Sequence, residues 1–178
     1  MSGHSHWKQI KQHKGAADQK RAALFSKLLA AISVAARYDP NPQFNIQLRA
    51  AVEKAKANSV PAENIERAIK RSNEEKNFEE IIVEAYGPEG VALVIEGVTD
   101  NTNRAIAEIK NILNEQSAKI ANPGSVLWSF DEPTSDKNEW RPKFTQSISE
   151  EAKKKITALV EALNDHSDVQ RVTTNAEN

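Results

Sequence analysis

The chain has 178 residues, of which 28% are charged and 39% apolar, and it contains no cysteine. That composition suits one large or two small globular cores and excludes disulfides, thiolate metal sites and cysteine nucleophiles. No apolar run approaches the roughly 20 residues of a membrane-spanning helix, and the opening lacks the apolar stretch of a secretory signal. A reducing, cytoplasmic setting (an organellar matrix in a eukaryote) is expected, with no membrane contact.

The net charge of −1 conceals a division. Residues 1–76 carry 14 Lys and Arg against 7 Asp and Glu, whereas residues 77–178 carry 10 against 18. A basic module on an acidic body implies an anionic partner, most commonly nucleic acid.

Taken in chain order, the basic half reads as three helices. The first is expected from about Ala16 to Arg37, with Leu24, Leu28, Ile32 and Ala35 on one stripe, before "YDPNPQ" stops it. The second covers about Phe44 to Asn58, with Leu48, Val52 and Ala55 facing inward. The third opens at "VPAENIERAIKR", where Pro61 suits the first helical position and Ile65, Ala68 and Ile69 form the apolar side. "SNEEKN" reads as the hinge to the second half.

From Phe78 the pattern turns to β. "FEEIIVEAY" and "GVALVIEGV" are strands joined by the turn "GPEG", and "NRAIAEIKNILNEQ" is a helix capped by Asp100 or Thr102. "SVLWSF" and "RPKFTQSI" are strand candidates on either side of "DEPTSDKNEW". Ser149 caps a helix over "SEEAKKKITALVEALNDH", and "DVQRVTT" is the last strand. The expected class is therefore α+β. A three-helix bundle over residues 1–76 precedes a ferredoxin-like split βαβ domain over residues 77–178, with one extra hairpin strand.

The candidate contacts to nucleic acid are Trp7, Lys8, Lys11, Lys14, Lys20, Arg21 and Lys27 at the N-terminus, with Arg67, Lys70 and Arg71 as a basic corner on the third helix. From His4 to Leu28 the only acid is Asp18, so internal pairing does not account for those six cations. The corner is different, since Glu63 and Glu66 stand four residues before Arg67 and Lys70. Trp7 among cations fits a stacking contact or an anchor for the N-terminal segment. Loss of Met1 would place His4 third from a free amine, a geometry that holds Cu(II) or Ni(II). His6 and His13 follow it, yet no carboxylate supports a site, and no metal or other cofactor is expected. Val126, Trp128 and Phe130 share one face of the expected strand, as a base-stacking platform or as core. No Gly-rich phosphate loop, nucleophile triad or paired acids can be picked out, and no enzymatic activity is expected.

Four segments, "GHSHWKQIKQHKGAADQKRAALFSKLLAAISVAAR", "NIQLRAAVEKAKANSVPAENIERAIKR", "YGPEGVALVIEGVTDNTNR" and "ALNDHSDVQRVTTN", resemble the YebC/PmpR family in its order. That family includes proteins described as probable transcriptional regulators and mitochondrial translational activators. The resemblance implies a basic three-helix N-terminal domain, an α/β body, no catalysis and action on gene expression through DNA or ribosomal RNA. The family's basic surface maps onto Lys8, Lys11, Lys14, Lys20, Arg21 and Lys27. One departure stands out: family members carry a further α/β domain where this chain has only residues 131–140. The residues decide neither DNA against RNA (or the ribosome) nor the oligomeric state.

Overall fold

A computed structural model describes the backbone of residues 3–72, 78–134 and 139–177, with side chains described from residue 17 onward in those ranges. Residues 73–77 of the expected hinge and residues 135–138 of "DEPTSDKNEW" fall outside the described residues.

The first helix, α1, spans Gly3–Ala36, well ahead of the expected start near Ala16. Lys, Gln and Ala in that segment are good helix formers, and no proline interrupts it. Among its described side chains, those that pack lie in the C-terminal part. Phe25, Leu28, Leu29, Ile32, Ala35 and Ala36 join the core shared with α2 (Ile46–Ala57) and α3 (Ala62–Arg71). Leu24, expected inside, is 37% exposed because α2 and α3 do not reach that turn. Asn45 ends the α1–α2 loop: its Oδ1 accepts from Leu48 N–H at 2.9 Å, and its amide donates to Ala35 O at 2.7 Å and Asp39 O at 2.8 Å. Pro61 takes the cap position of α3, one residue earlier than expected, with extended backbone.

A four-stranded sheet forms the second core. Strands β1 (Glu79–Tyr86) and β2 (Ala92–Thr99) make a hairpin through the short turn Pro88–Gly90. Next come α4 (Thr102–Glu115) and a two-residue strand β3 (Lys119–Ile120), which pairs with β1. Asn101, rather than Asp100 or Thr102, caps α4 by accepting from Arg104 N–H at 3.0 Å. Asp100 instead accepts from the Arg104 guanidinium. After β4 (Phe130–Asp131) and β5 (Arg141–Pro142), α5 (Glu150–Asp165) is capped by Ser149 as expected, and β6 (Val169–Thr174) pairs with β2.

The strand order is β3-β1-β2-β6, with every neighbouring pair antiparallel. β2-α4-β3 is the split βαβ unit, and the strand lying between its two members is β1. The hairpin strand expected as an addition thus holds an inner position. It does so because β1 and β2 pair along eight residues, whereas β4 and β5 pair along only two, in a separate small sheet. Helices α4 and α5 cover one face of the large sheet around Leu93, Ile95, Ile109, Leu113, Leu159 and Leu163. On the other face Val126, Phe130 and Trp140 pack on Ala92 and Val94. Burial on both faces explains the nearly unbroken apolar run of β2.

"SVLWSF" departs from expectation. Leu127–Ser129 is a 3-10 turn, and only Phe130 enters a strand. Val126 and Phe130 are buried while Trp128 is 65% exposed, so the three do not share a face. The cause is Glu84 on β1, whose carboxylate accepts from the backbone N–H groups of Val126 (2.6 Å), Leu127 (2.9 Å) and Gly124. Those donors are thereby withdrawn from any ladder.

Candidate nucleic-acid interface

The sequence supplies a long basic helix, and its described side chains ahead of the core are uncovered. From Ala17 to Leu24 every residue of α1 is exposed. Ala17–Leu24 therefore carries the helix, uncovered, for about 12 Å ahead of the point where the core begins, at 1.5 Å per residue. Within that length Lys20 and Arg21 are exposed, and the Arg21 guanidinium lies 5.2 Å over the Phe25 ring. A cation so placed is attracted to the face of the ring. The side chains of Trp7, Lys8, Lys11 and Lys14, with those of His4, His6 and His13, lie outside the described residues. Helix periodicity puts positions 8, 11, 14 and 21 within an arc of about 140° and positions 20 and 27 on the opposite flank.

Lys27 has a different post. Its Nζ donates to Asn164 O at the end of α5 at 2.9 Å, and its own carbonyl accepts from Gln170 Nε2 at 3.2 Å. Burial first, then the neighbouring Lys54, pulls its pKa below the usual lysine value, against an opposing pull from Asp165. The third helix is also partly committed. Arg67 pairs with Glu63 at 2.7 Å, the i,i+4 bridge expected from sequence, while Lys70 and Arg71 are exposed on the same helix. Arg49 is spent on the carbonyls of Pro42 and Gln43, at 3.0 and 2.7 Å, and the Arg37 guanidinium donates to Phe78 O.

Between the helices and the sheet is a cavity of about 360 Å³, with Leu28, Ala31 and Val34 on one wall and Ile81, Val98 and Trp140 on the other. Glu96 of β2 reaches into it, and its Oε2 is buried without a hydrogen-bond partner, 3.9 Å from Arg171 Nε. Burial raises the Glu96 pKa above the usual carboxylate value; Arg171 and Lys54 oppose the rise, and Glu80 and Glu139 add to it. Sequence reading overlooked Glu84 and Glu96, although each is an acid inside an otherwise apolar strand. That interruption was the available signal. Among the described residues no group of three His, Asp or Glu is placed to hold a metal ion. No described helix is long and apolar enough to cross a membrane.

An α+β protein with a long basic helix ahead of its core is the class these observations define. Comparison with known proteins makes it more particular: residues 5–75 match the TACO1/YebC protein N-terminal domain, and residues 78–135 and 132–176 match the TACO1/YebC second and third domain. The chain belongs to the TACO1/YebC family. It is 48% identical over 134 residues to a Chloroherpeton thalassium protein named "Probable transcriptional regulatory protein", covering 73% of this chain and 54% of that one. A Geobacter sulfurreducens protein named as a probable transcriptional regulatory protein is 47% identical over 137 residues, covering 74% and 55%. The chain thus spans about half the length of these relatives. Its fold is also that of a conserved hypothetical protein, Aq1575, from Aquifex aeolicus, with a TM-score of 0.80, 31% identity, and 90% and 91% of the two chains covered. The two segments matching the second and third domain meet at residues 132–135, beside the β4–β5 pair.

Proposed function

We propose that this protein is a non-enzymatic, nucleic-acid-binding regulator of gene expression whose affinity comes from the basic α1 and, secondarily, the Arg67–Arg71 corner. The single observation that carries this reading is the exposed stretch Ala17–Leu24 of α1, with Lys20 and Arg21 on it. A helix with basic positions on two flanks suits a groove with phosphates along both walls. The names of the regulatory relatives agree with it. DNA is the first target considered. The mostly Lys and Ala surface of α1 contacts backbone rather than reading base edges, which equally suits ribosomal RNA and action on translation.

Five candidate cations remain on α1 once Lys27 is assigned to Asn164. Plots of log K against log salt concentration on duplex DNA should therefore slope near −4.5, at about −0.9 per phosphate contact. Lys20→Ala with Arg21→Ala should flatten the slope by about 2. A slope near zero in the wild-type protein would reject the reading.

A second reading, small-molecule binding, is favoured by one feature only: the Glu96 oxygen left unsatisfied in an apolar-walled cavity. Native mass spectrometry of protein purified from cells tests it, since a stoichiometric small ligand lost in Glu96→Ala would establish that site.

A further inference from the structure

The exposed aromatic side chains of the sheet unit are not scattered. Tyr86 ends β1, and Trp128 lies in the 3-10 turn held by Glu84. The Tyr86 hydroxyl and the Trp128 indole N–H both donate to one acceptor, Ser125 O, each at 2.8 Å. Each ring therefore has its polar atom satisfied inside the protein while 38% of Tyr86 and 65% of Trp128 stay in water. Apolar ring surface fixed in place and left uncovered is costly unless something binds it.

Cations flank the pair. Lys119 stands opposite Tyr86 in the β1–β3 register, and the Lys143 amine donates to Trp128 O at 3.0 Å, which leaves its charge intact. Phe144, 65% exposed, follows it in the chain. Arg141 on the same hairpin pairs with Glu139 at 2.8 Å. Two rings locked by a shared carbonyl, with one lysine opposite Tyr86 on the sheet and another bonded to Trp128 O, match what an unpaired nucleotide needs: a π-face for its base and positive charge for its phosphates. A duplex buries its base faces and offers nothing to stack on. A protein partner would account for the rings but not for the two lysines.

We infer that Tyr86 and Trp128, with Lys119 and Lys143, form a stacking site for single-stranded nucleic acid, separate from the phosphate contacts of α1. This rests on the nucleic-acid reading above and names the substrate class: a polymer with at least one unpaired stretch.

The test uses the full chain, with fluorescein-labelled RNA of about twelve nucleotides and the same sequence as a duplex, read by anisotropy at fixed salt. Trp128→Ala should weaken single-strand binding about tenfold and leave duplex binding within twofold. Trp128→Phe should recover most of the loss. Tyr86→Ala should act in the same direction, and thermal melting should confirm that each variant folds. Single-strand affinity unchanged in Trp128→Ala, with duplex binding intact, would overturn the stacking site and leave the α1 reading standing. Wild-type protein that binds neither probe at low salt would overturn both. If Trp128→Ala instead abolishes self-association in sedimentation while nucleic-acid affinity holds, the patch joins copies of this chain and the inference is wrong.

Discussion

Lys27 Nζ lies 2.9 Å from the carbonyl of Asn164, so a residue in the middle of the basic helix is tied to the far end of α5. Gln170 of β6 returns the tie by donating to the Lys27 carbonyl. The pair joins α1 to the sheet unit, and it sets Lys27 apart from the other five basic candidates of the N-terminal segment.

Lys27→Met should test that division. It keeps the aliphatic stem and removes one hydrogen bond, so it should lower stability by about 1 kcal/mol and change duplex affinity less than twofold. Lys20→Glu with Arg21→Glu should leave the melting temperature nearly unchanged and cut affinity tenfold or more at low salt. Thermal melts and anisotropy titrations on both variants give the comparison, and equal losses of affinity would return Lys27 to the interface.

Glu84 sets the 124–129 turn through three backbone donors while only 5% exposed. Glu84→Gln replaces one acceptor oxygen with an amide NH2, a donor that faces those same N–H groups. The expected loss is about 2–3 kcal/mol, from charge-assisted bonds removed and donors left buried. Urea unfolding measures it. Near-ultraviolet circular dichroism should show Trp128 losing its fixed environment, and a silent spectrum would mean that the turn holds without the carboxylate.

Gly97 lies where the β2–β6 register shifts, and a Cβ there would come within 2.9 Å of both Asp168 O and Ile81 Cγ1. The Asp168 carbonyl is fixed by Val98 N–H at 2.7 Å, and its carboxylate accepts from Arg104 at 2.7 Å and Thr99 at 2.8 Å. Backbone held this firmly cannot retreat. Gly97→Ala should therefore destabilise by about 1–3 kcal/mol through overpacking, read as a lowered urea midpoint with an unchanged slope.

Glu96 gives a pH dependence. Its pKa is raised in the fold, so between the unfolded value near 4.5 and the folded value the native state binds more protons. Stability attributable to this group falls as pH rises through that window, and the ionised carboxylate is a net cost at pH 7. Glu96→Gln should raise stability at pH 7 by about 1 kcal/mol, a gain that shrinks as the pH drops towards 4.5. Melting curves across that range check the sign; a variant less stable at pH 7 would mean that the attraction of Arg171 outweighs burial.

Sequence periodicity located α2, α3, α4, α5 and the β1–β2 hairpin because each carries its own apolar face and its own stop signals. Ser149 and the Pro88–Gly90 turn act within a few residues of where they stand. Charge was equally legible: one acid among six cations needs no coordinates to be noticed. Trp128 was not. Its neighbours Val126 and Phe130 alternate as a strand would, and only Glu84, some forty residues earlier, turns that stretch into a 3-10 loop and leaves the indole outside.

What the residues determined by themselves is therefore local: which segments coil, which extend, and where positive charge collects. The tertiary structure alone decided which strand lies between β2 and β3, which lysine becomes a joint, and which rings stay in water. Each of those outcomes depends on a partner far away in the chain. The long β1–β2 ladder outcompetes a short hairpin, a carbonyl on α5 captures Lys27, and a buried carboxylate takes three backbone donors from a would-be strand.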